Sequence, residues 1–331
     1  MTASRRIDMA EMPVQVPEAP TSAAGARARF FNSGNAFNIK LPAVPAAAFR
    51  GEVGVARAMV EAGTSGLVAC DQSAVIGGAG IGGAGIGGVD PATTPLMLAR
   101  YVAIAAADAL TLRPVASGAI WYVIAGAGDM SVGGERFGFA AGDVMLTPGG
   151  VETVLAGGLS GALLWLVTDE PLYRFAGAVP DPRQTSVAPV HYPADEITRQ
   201  LQKVVEAAQN ATTSGIALIF SSETFEAGRN ILPTLTLSLN TVPPGEHQRA
   251  HEHNSAAITL ILAGEGAYSM VGGERCDWSE HATLVTPATL AHSHHNPGEA
   301  RAAFLIVQDG GLHYRARTMG FRFLEPAGQN T

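Results

Sequence analysis

The chain has 331 residues, of which 47% are hydrophobic and only 15% charged, with a formal net charge of −8. Such a composition excludes an intrinsically disordered chain, and with Lys40 and Lys203 as its only lysines and no basic block it carries no electrostatic footprint for nucleic acid. Cys70 and Cys276, the only cysteines, exclude a disulfide framework and fit a reducing, cytoplasmic setting, and no apolar run reaches the ~18 residues of a membrane-crossing helix.

At roughly 100–200 residues per domain the length fits two domains. The 39 glycines and 20 prolines favour many tight turns and hence β structure. Residues 1–30, rich in Pro, Ala and Ser, read as a flexible N-terminal arm and not as a secretory signal, because no apolar stretch follows Arg5 and Arg6. Residues 77–88 repeat glycine as GGAGIGGAGIGG. They contain Gly80-x-Gly82-x-x-Gly85, but the Val-Asp-Pro that follows cannot open the helix a dinucleotide site needs, so the segment reads as a flexible loop. From residue 96 onward strand-length apolar runs alternate with Gly, Asp and Pro: Leu96–Ile104, Ala119–Ile124, Asp143–Thr147 and Leu163–Val167. One amphipathic helix is predicted over Pro193–Ala208, where Ile197, Leu201, Val204 and Val205 recur at helical spacing behind Asp195 and Glu196. A second β region begins near Leu232.

The two β regions repeat each other. Residues 120–148 and 258–287 each run through an apolar strand, Gly-x-Gly, a second strand, Gly-Gly-Glu-Arg, and Thr-Pro 11 residues after that Arg, at an offset of 138 residues before the second strand and 139 after it. The expectation is two copies of one β domain, 31–180 and 181–331, in an all-β chain with a few short helices.

Histidine is distributed very unevenly. Of nine, seven lie between His247 and His295. In a strand, i and i+2 point to one side, so His251 and His253 can face one point, and His292 arrives on a strand some forty residues later. Three neutral imidazoles suit iron, zinc, copper or nickel and leave coordination positions open, as a catalytic metal requires. In the first repeat the corresponding positions hold Arg113, Val115 and Thr153, none of which can replace an imidazole, so that copy is expected to be metal-free.

The segments PPGEHQRAHEH, LAGEGAYSMVGGER and LVTPATLAHSHHN resemble the cupins, and two copies resemble a bicupin, a pair of double-stranded β-helix barrels. The wording is similar to the ring-cleaving dioxygenases of gentisate, salicylate and 1-hydroxy-2-naphthoate, including a branch for substituted salicylates such as 5-nitrosalicylate. That resemblance implies an Fe(II) enzyme that opens a hydroxylated aromatic acid with O2 between its carboxylate-bearing and hydroxyl-bearing carbons. It assigns the metal to His251, His253 and His292, places His294 beside the bound substrate as a catalytic residue, and aligns Asn240 with a glutamine near the metal. The chain departs from the family at three places: Thr259 stands where an arginine usually anchors the substrate carboxylate, Ala291 for a tryptophan and Ser293 for an acidic residue. Arg249, two residues before His251, is the expected replacement anchor, with Gln248 and Asn240 adding neutral hydrogen bonds. His247 and His295 read as loop residues. The expected partners are an aromatic carboxylic acid, O2 and further copies of the chain in a dimer or tetramer, with neither nucleic acid nor a membrane. Two other readings stay open: a thiol or diketone dioxygenase with the same triad, and a non-enzymatic bicupin that binds metal or small molecules.

Overall fold

The computed structural model describes residues 7–36, 43–76, 90–208 and 215–326, so the glycine repeat at 77–88 lies outside the described residues. The chain divides into two units, residues 1–43 and 44–331. The first carries only local structure: a helical turn at Met9–Glu11 whose first turn is capped by Asp8, another at Ala23–Ala26 capped by Ser22, and one bridge between Gln15 and Phe30. A short polar side chain before each turn accepts an otherwise orphaned backbone N–H.

The second unit opens with β1 (Ala47–Phe49), a helix over Glu52–Glu61 and β2 (Gly66–Ala69). β3 (Leu98–Ile104), β4 (Ala109–Leu112), β5 (Gly118–Val132), β6 (Glu135–Ala140), β7 (Val144–Pro148), β8 (Thr153–Thr168) and β9 (Val190–Tyr192) join β2 in one eight-stranded antiparallel system, the first barrel. The predicted helix forms over Ala194–Glu206, with Pro193 supplying the extended residue before it. The second barrel consists of β10 (Ile216–Phe220), β11 (Thr236–Val242), β12 (Glu246–His253), β13 (Ala257–Ala263), β14 (Tyr268–Val271), β15 (Glu274–Asp277), β16 (Thr283–Thr286), β17 (His292–Asn296), β18 (Ala302–Gln308) and β19 (Phe321–Phe323). Its two sheets run β1-β16-β13-β18-β11-β10 and β15-β14-β17-β12-β19. The fold is therefore all-β with two barrels, a bicupin. The boundary at residue 180 is our proposal; β1 precedes it and pairs with β16, whereas β9 follows it and pairs with β7.

The sequence repeat has a backbone cause. The Gly-Gly of each Gly-Gly-Glu-Arg closes a two-residue hairpin, between β5 and β6 in one copy and β14 and β15 in the other, with φ of +59° and +86° at Gly133–Gly134 and +60° and +87° at Gly272–Gly273. A hairpin turn with positive φ at both central residues matches the strand twist and strongly favours glycine. The copies differ in continuity. β5 and β8 run unbroken for 15 and 16 residues, where the second barrel has β13 then β14, and β17 then β18. Pro297 stands at the second of these breaks and has no N–H to donate to a ladder.

Three apolar clusters form. One fills the first barrel (Val102, Trp121, Met130, Phe139, Met145, Leu155, Leu164). A smaller one fills part of the second (Val242, Ile261, Trp278, Phe304, Ile306). The third joins the two barrels, with Tyr101, Ile120, Leu146 and Trp165 from one and Leu237, Ile258, Leu260 and Leu305 from the other. Polar contacts bind this seam: Trp165 Nε1 donates to Thr283 Oγ1 at 3.0 Å, and Tyr101 Oη lies 2.8 Å from the same hydroxyl and donates to the His281 carbonyl. No helix among the described residues is long and apolar enough to cross a membrane.

Candidate metal centre

β12 and β17 lie side by side, with His251 opposite His292. Alternation along β12 puts His253 on the same face, and the three imidazoles converge inside the second barrel. Each offers one nitrogen, all within 4.8 Å of one another, and all three side chains are buried. Ring centroids of His251 and His292 are 4.2 Å apart, and those of His253 and His292 4.7 Å.

Their second nitrogens fix the tautomer. Nδ1 of His251 lies 2.7 Å from the Arg249 carbonyl, Nδ1 of His253 2.8 Å from that of Ser255, and Nδ1 of His292 2.8 Å from that of Leu290. A carbonyl only accepts, so each Nδ1 carries the proton and each Nε2 keeps its lone pair. Burial keeps the rings neutral. It pushes His253 down to about 4, and burial plus the two neighbouring histidines push His292 down to about 3; His251 is lowered first by burial. Neutral imidazoles with Nδ1 tied to backbone and Nε2 convergent make a donor set that fits a divalent first-row metal. The Gln308 side-chain amide approaches the same point, donating to His253 Nε2 at 3.2 Å.

His294 follows on β17 and differs in kind. Ser269 Oγ accepts from Trp278 Nε1 at 2.8 Å and lies 2.8 Å from His294 Nδ1. With the Ser269 proton given to Nδ1, His294 carries its own on Nε2, the opposite tautomer from the triad. Buried against Phe304, it is held well below its ordinary pKa by burial and the nearby histidines. It is a neutral hydrogen-bond donor beside the cluster, its ring centroid 6.0 Å from that of His292.

The remaining expected residues separate. Gln248 pairs with His294 across the β12–β17 ladder and so shares its face. A register shift between Gln248 and His251 places Arg249 in a bulge, a device that re-aims a side chain. The Arg249 guanidinium stacks on Phe323 at 3.6 Å from the ring centre, and its charge is close enough to help lower His251. Asn240 lies on β11 opposite Phe304, with its amide donating to Ser238 Oγ at 2.7 Å. His247 and His295 are not in loops: they sit opposite each other on β12 and β17, stacked at 5.2 Å, with Tyr268 stacked on His295 at 4.6 Å. Alternation puts them on the opposite face from the triad.

Sequence reasoning passed over Gln308, Ser269 and the Phe321–Phe323 pair, of which Phe321 lies 5.2 Å from the His251 ring. Ser269 could have been found from the repeat, since the first copy has Met130 there; Gln308 corresponds to Thr168 only through strand pairing, because it opposes Ala257 as Thr168 opposes Ala119. In that copy Arg113 pairs with Glu152 at 3.3 Å and Val115 is exposed.

Residues 238–308 match the cupin-domain family model. The chain is 37% identical over 78 residues to a gentisate 1,2-dioxygenase of a Ralstonia species, covering 24% of this chain and 22% of that one. It is 27% identical over 170 residues to a 1-hydroxy-2-naphthoate 1,2-dioxygenase of a Nocardioides species, covering 50% and 42%. These matches thus span less than half the length of each relative. Among solved structures, the salicylate 1,2-dioxygenase of Pseudaminobacter salicylatoxidans superposes with a TM-score of 0.71 at 16% identity, over 86% of this chain and 89% of that one. The second barrel is accordingly a cupin domain with a three-histidine cluster, in a chain that shares the bicupin fold of a ring-cleaving dioxygenase and resembles two others in sequence.

Proposed function

We propose that this chain is an Fe(II)-dependent ring-cleaving dioxygenase acting on a hydroxylated aromatic acid, gentisate or a substituted salicylate. The ring opens between the carboxylate-bearing and hydroxyl-bearing carbons, and both atoms of O2 enter the product. The observation that carries this reading is the buried, neutral triad of His251, His253 and His292 with no carboxylate among its ligand atoms. It lies in the segment that matches the cupin-domain model, in a chain similar over 78 residues to a gentisate 1,2-dioxygenase. Fe(II) bound there supplies a template for the vicinal carboxylate and hydroxyl and a path for electrons from the ring to oxygen.

The chain's own residues do the rest. The three Nε2 atoms hold the metal and leave its other positions open. His294, a donor through Nε2–H, steadies the oxygen on which charge develops; such preorganised donors contribute without reorganising. Arg249 grips the carboxylate with two parallel N–H groups, as a planar guanidinium can, and its stacking on Phe323 keeps the fork oriented. Gln248 and Asn240 add neutral hydrogen bonds. The first barrel binds no metal and serves packing.

Oxygen uptake by Fe(II)-loaded protein with gentisate, salicylate, 5-nitrosalicylate and 1-hydroxy-2-naphthoate tests the reading. One O2 is consumed per aromatic acid, with no nicotinamide, flavin or added reductant. A reductant required at every turnover points to a hydroxylase, and uptake only with a thiol or diketone points to the other triad enzymes. The anchor is tested separately: Arg249→Ala raises KM about 10-fold or more, since a charge-assisted hydrogen bond is worth roughly 1.5–3 kcal/mol, with metal content unchanged. Arg249→Lys recovers only part, because it loses the fork. Unchanged kinetics in Arg249→Ala rejects this anchor.

A further inference from the structure

The two barrels are an internal comparison, and they differ most on one side. In the first, Trp121 crosses the interior and donates from Nε1 to Thr147 Oγ1 at 2.9 Å, and His191 on β9 stacks on Phe137 of β6 at 5.2 Å. The repeat offset maps Trp121 onto Thr259, Thr147 onto Thr286 and Phe137 onto Cys276. Strand pairing maps His191 onto Ala48, because His191 opposes Met145 on β7 and Ala48 opposes Leu284, its counterpart on β16. Three large side chains in one barrel are thus Thr259, Cys276 and Ala48 in the other.

The space they vacate is a cavity of about 210 Å³ between β1–β16 and β14–β15. His294 and Ser269 line it, and so do Thr259 and Thr286. It therefore begins at the donor histidine beside the triad and runs outward. At its outer end Arg50, just after β1, reaches Cys276 Sγ at 3.5 Å and donates to the Asp277 carbonyl at 2.9 Å. An apolar cavity of about 150 Å³ takes up benzene, so this one has room for a ring edge with a substituent. Its wall offers hydroxyls, a thiol, the guanidiniums of Arg50 and Arg275 and one carboxylate, Glu274; donors predominate and favour a group that accepts hydrogen bonds.

We infer that this cavity is the specificity pocket for a hydrogen-bond-accepting ring substituent remote from the chelating carboxylate and hydroxyl, that Ala48, Thr259 and Cys276 open it, and that Arg50 faces the substituent. The inference rests on the aromatic-acid reading above and narrows it to acids with a hydrogen-bond-accepting ring substituent. β1, which precedes the first barrel in the chain, supplies the discriminating wall of the second.

The test refills the pocket with the first barrel's own residues, in the full-length metal-loaded chain, using salicylate and 5-nitrosalicylate as probes. Calorimetry under anaerobic conditions measures binding, elemental analysis the metal, and oxygen uptake the kinetics. Thr259→Trp keeps its metal and loses at least 10-fold in affinity for 5-nitrosalicylate. Ala48→His and Cys276→Phe, at the cavity's outer wall, keep metal and salicylate binding and lower only the preference for the nitro compound. Arg50→Ala lowers that same preference. Wild-type affinity for 5-nitrosalicylate in Thr259→Trp and Ala48→His, with aromatic acids still bound and oxygen still consumed, overturns the pocket and leaves the proposed function standing. Metal-loaded wild type that binds neither of these acids nor gentisate overturns the proposed function itself.

Discussion

His292→Ala strips the metal and abolishes oxygen uptake. His292 is the hub of the triad, its ring 4.2 Å from that of His251 and 4.7 Å from that of His253, whereas those two are 5.8 Å apart. Without it two imidazoles remain, at a wider spacing, with nothing else on β17 positioned to complete the set. His294 does not take its place, because Ser269 holds its ring at Nδ1 and its centroid lies 6.0 Å from that of the lost ligand. Losing a partner that merely orients a ligand costs 10–100-fold in metal affinity, and losing a ligand costs more. Metal content should fall from one ion per chain to under about a tenth, with activity falling by at least roughly 100-fold. The fold should survive, since the substitution orphans one buried carbonyl, Leu290 O, at a cost of about 1–3 kcal/mol. His294→Ala is the informative contrast: full metal with depressed turnover. Full metal in His292→Ala, or two ions per chain in the wild type, would falsify a single site in the second barrel.

The sequence carried the metal cluster because its signal is local. Two histidines at i and i+2 and a third after a Thr-Pro turn need only strand alternation and one strand pairing to converge. The duplication was legible for the same reason, since Gly-Gly hairpins and Thr-Pro ends impose fixed backbone requirements. What surrounds the metal was less legible. Arg249 was placed by i, i+2 alternation, but the bulge between Gln248 and His251 breaks that alternation, and only its stacking on Phe323, a residue on β19 seventy-four positions later, restores it to the neighbourhood of the site. His247 and His295 read as loop residues because the run of polar residues hides the strand; cross-strand stacking holds them in it. His294 is held by Trp278 through Ser269, a relay between elements that no spacing announces. The pocket is written in the sequence as Trp121 against Thr259 and Phe137 against Cys276, but His191 against Ala48 is invisible in any alignment of the repeats. β9 and β1 occupy equivalent edges while lying at opposite ends of the first barrel's sequence.

Trp165→Ala destabilises the whole chain by about 3–5 kcal/mol, the range for removing a large aromatic from a core, against a total of about 5–15 kcal/mol for a folded protein. Trp165 is fully buried in the cluster that joins the barrels, and its indole N–H is spent on Thr283 Oγ1 of β16. Its loss removes packing from the first barrel and leaves Thr283 with Tyr101 and Cys70 across the seam. Because the core is shared, denaturant unfolding followed by tryptophan fluorescence and by metal release should show one transition, moved to lower denaturant in the variant with both probes still coincident. Two separated transitions, or a loss below about 1 kcal/mol, would mean that the barrels are stable independently and the seam is incidental. Trp165→Phe separates packing from polarity: it keeps most of the buried area and loses the hydrogen bond. Thr283 immediately precedes Leu284, Val285 and Thr286 in a strand that walls the cavity. The first barrel thus acts on the second through β16, so Trp165→Phe should weaken 5-nitrosalicylate binding while metal content stays whole.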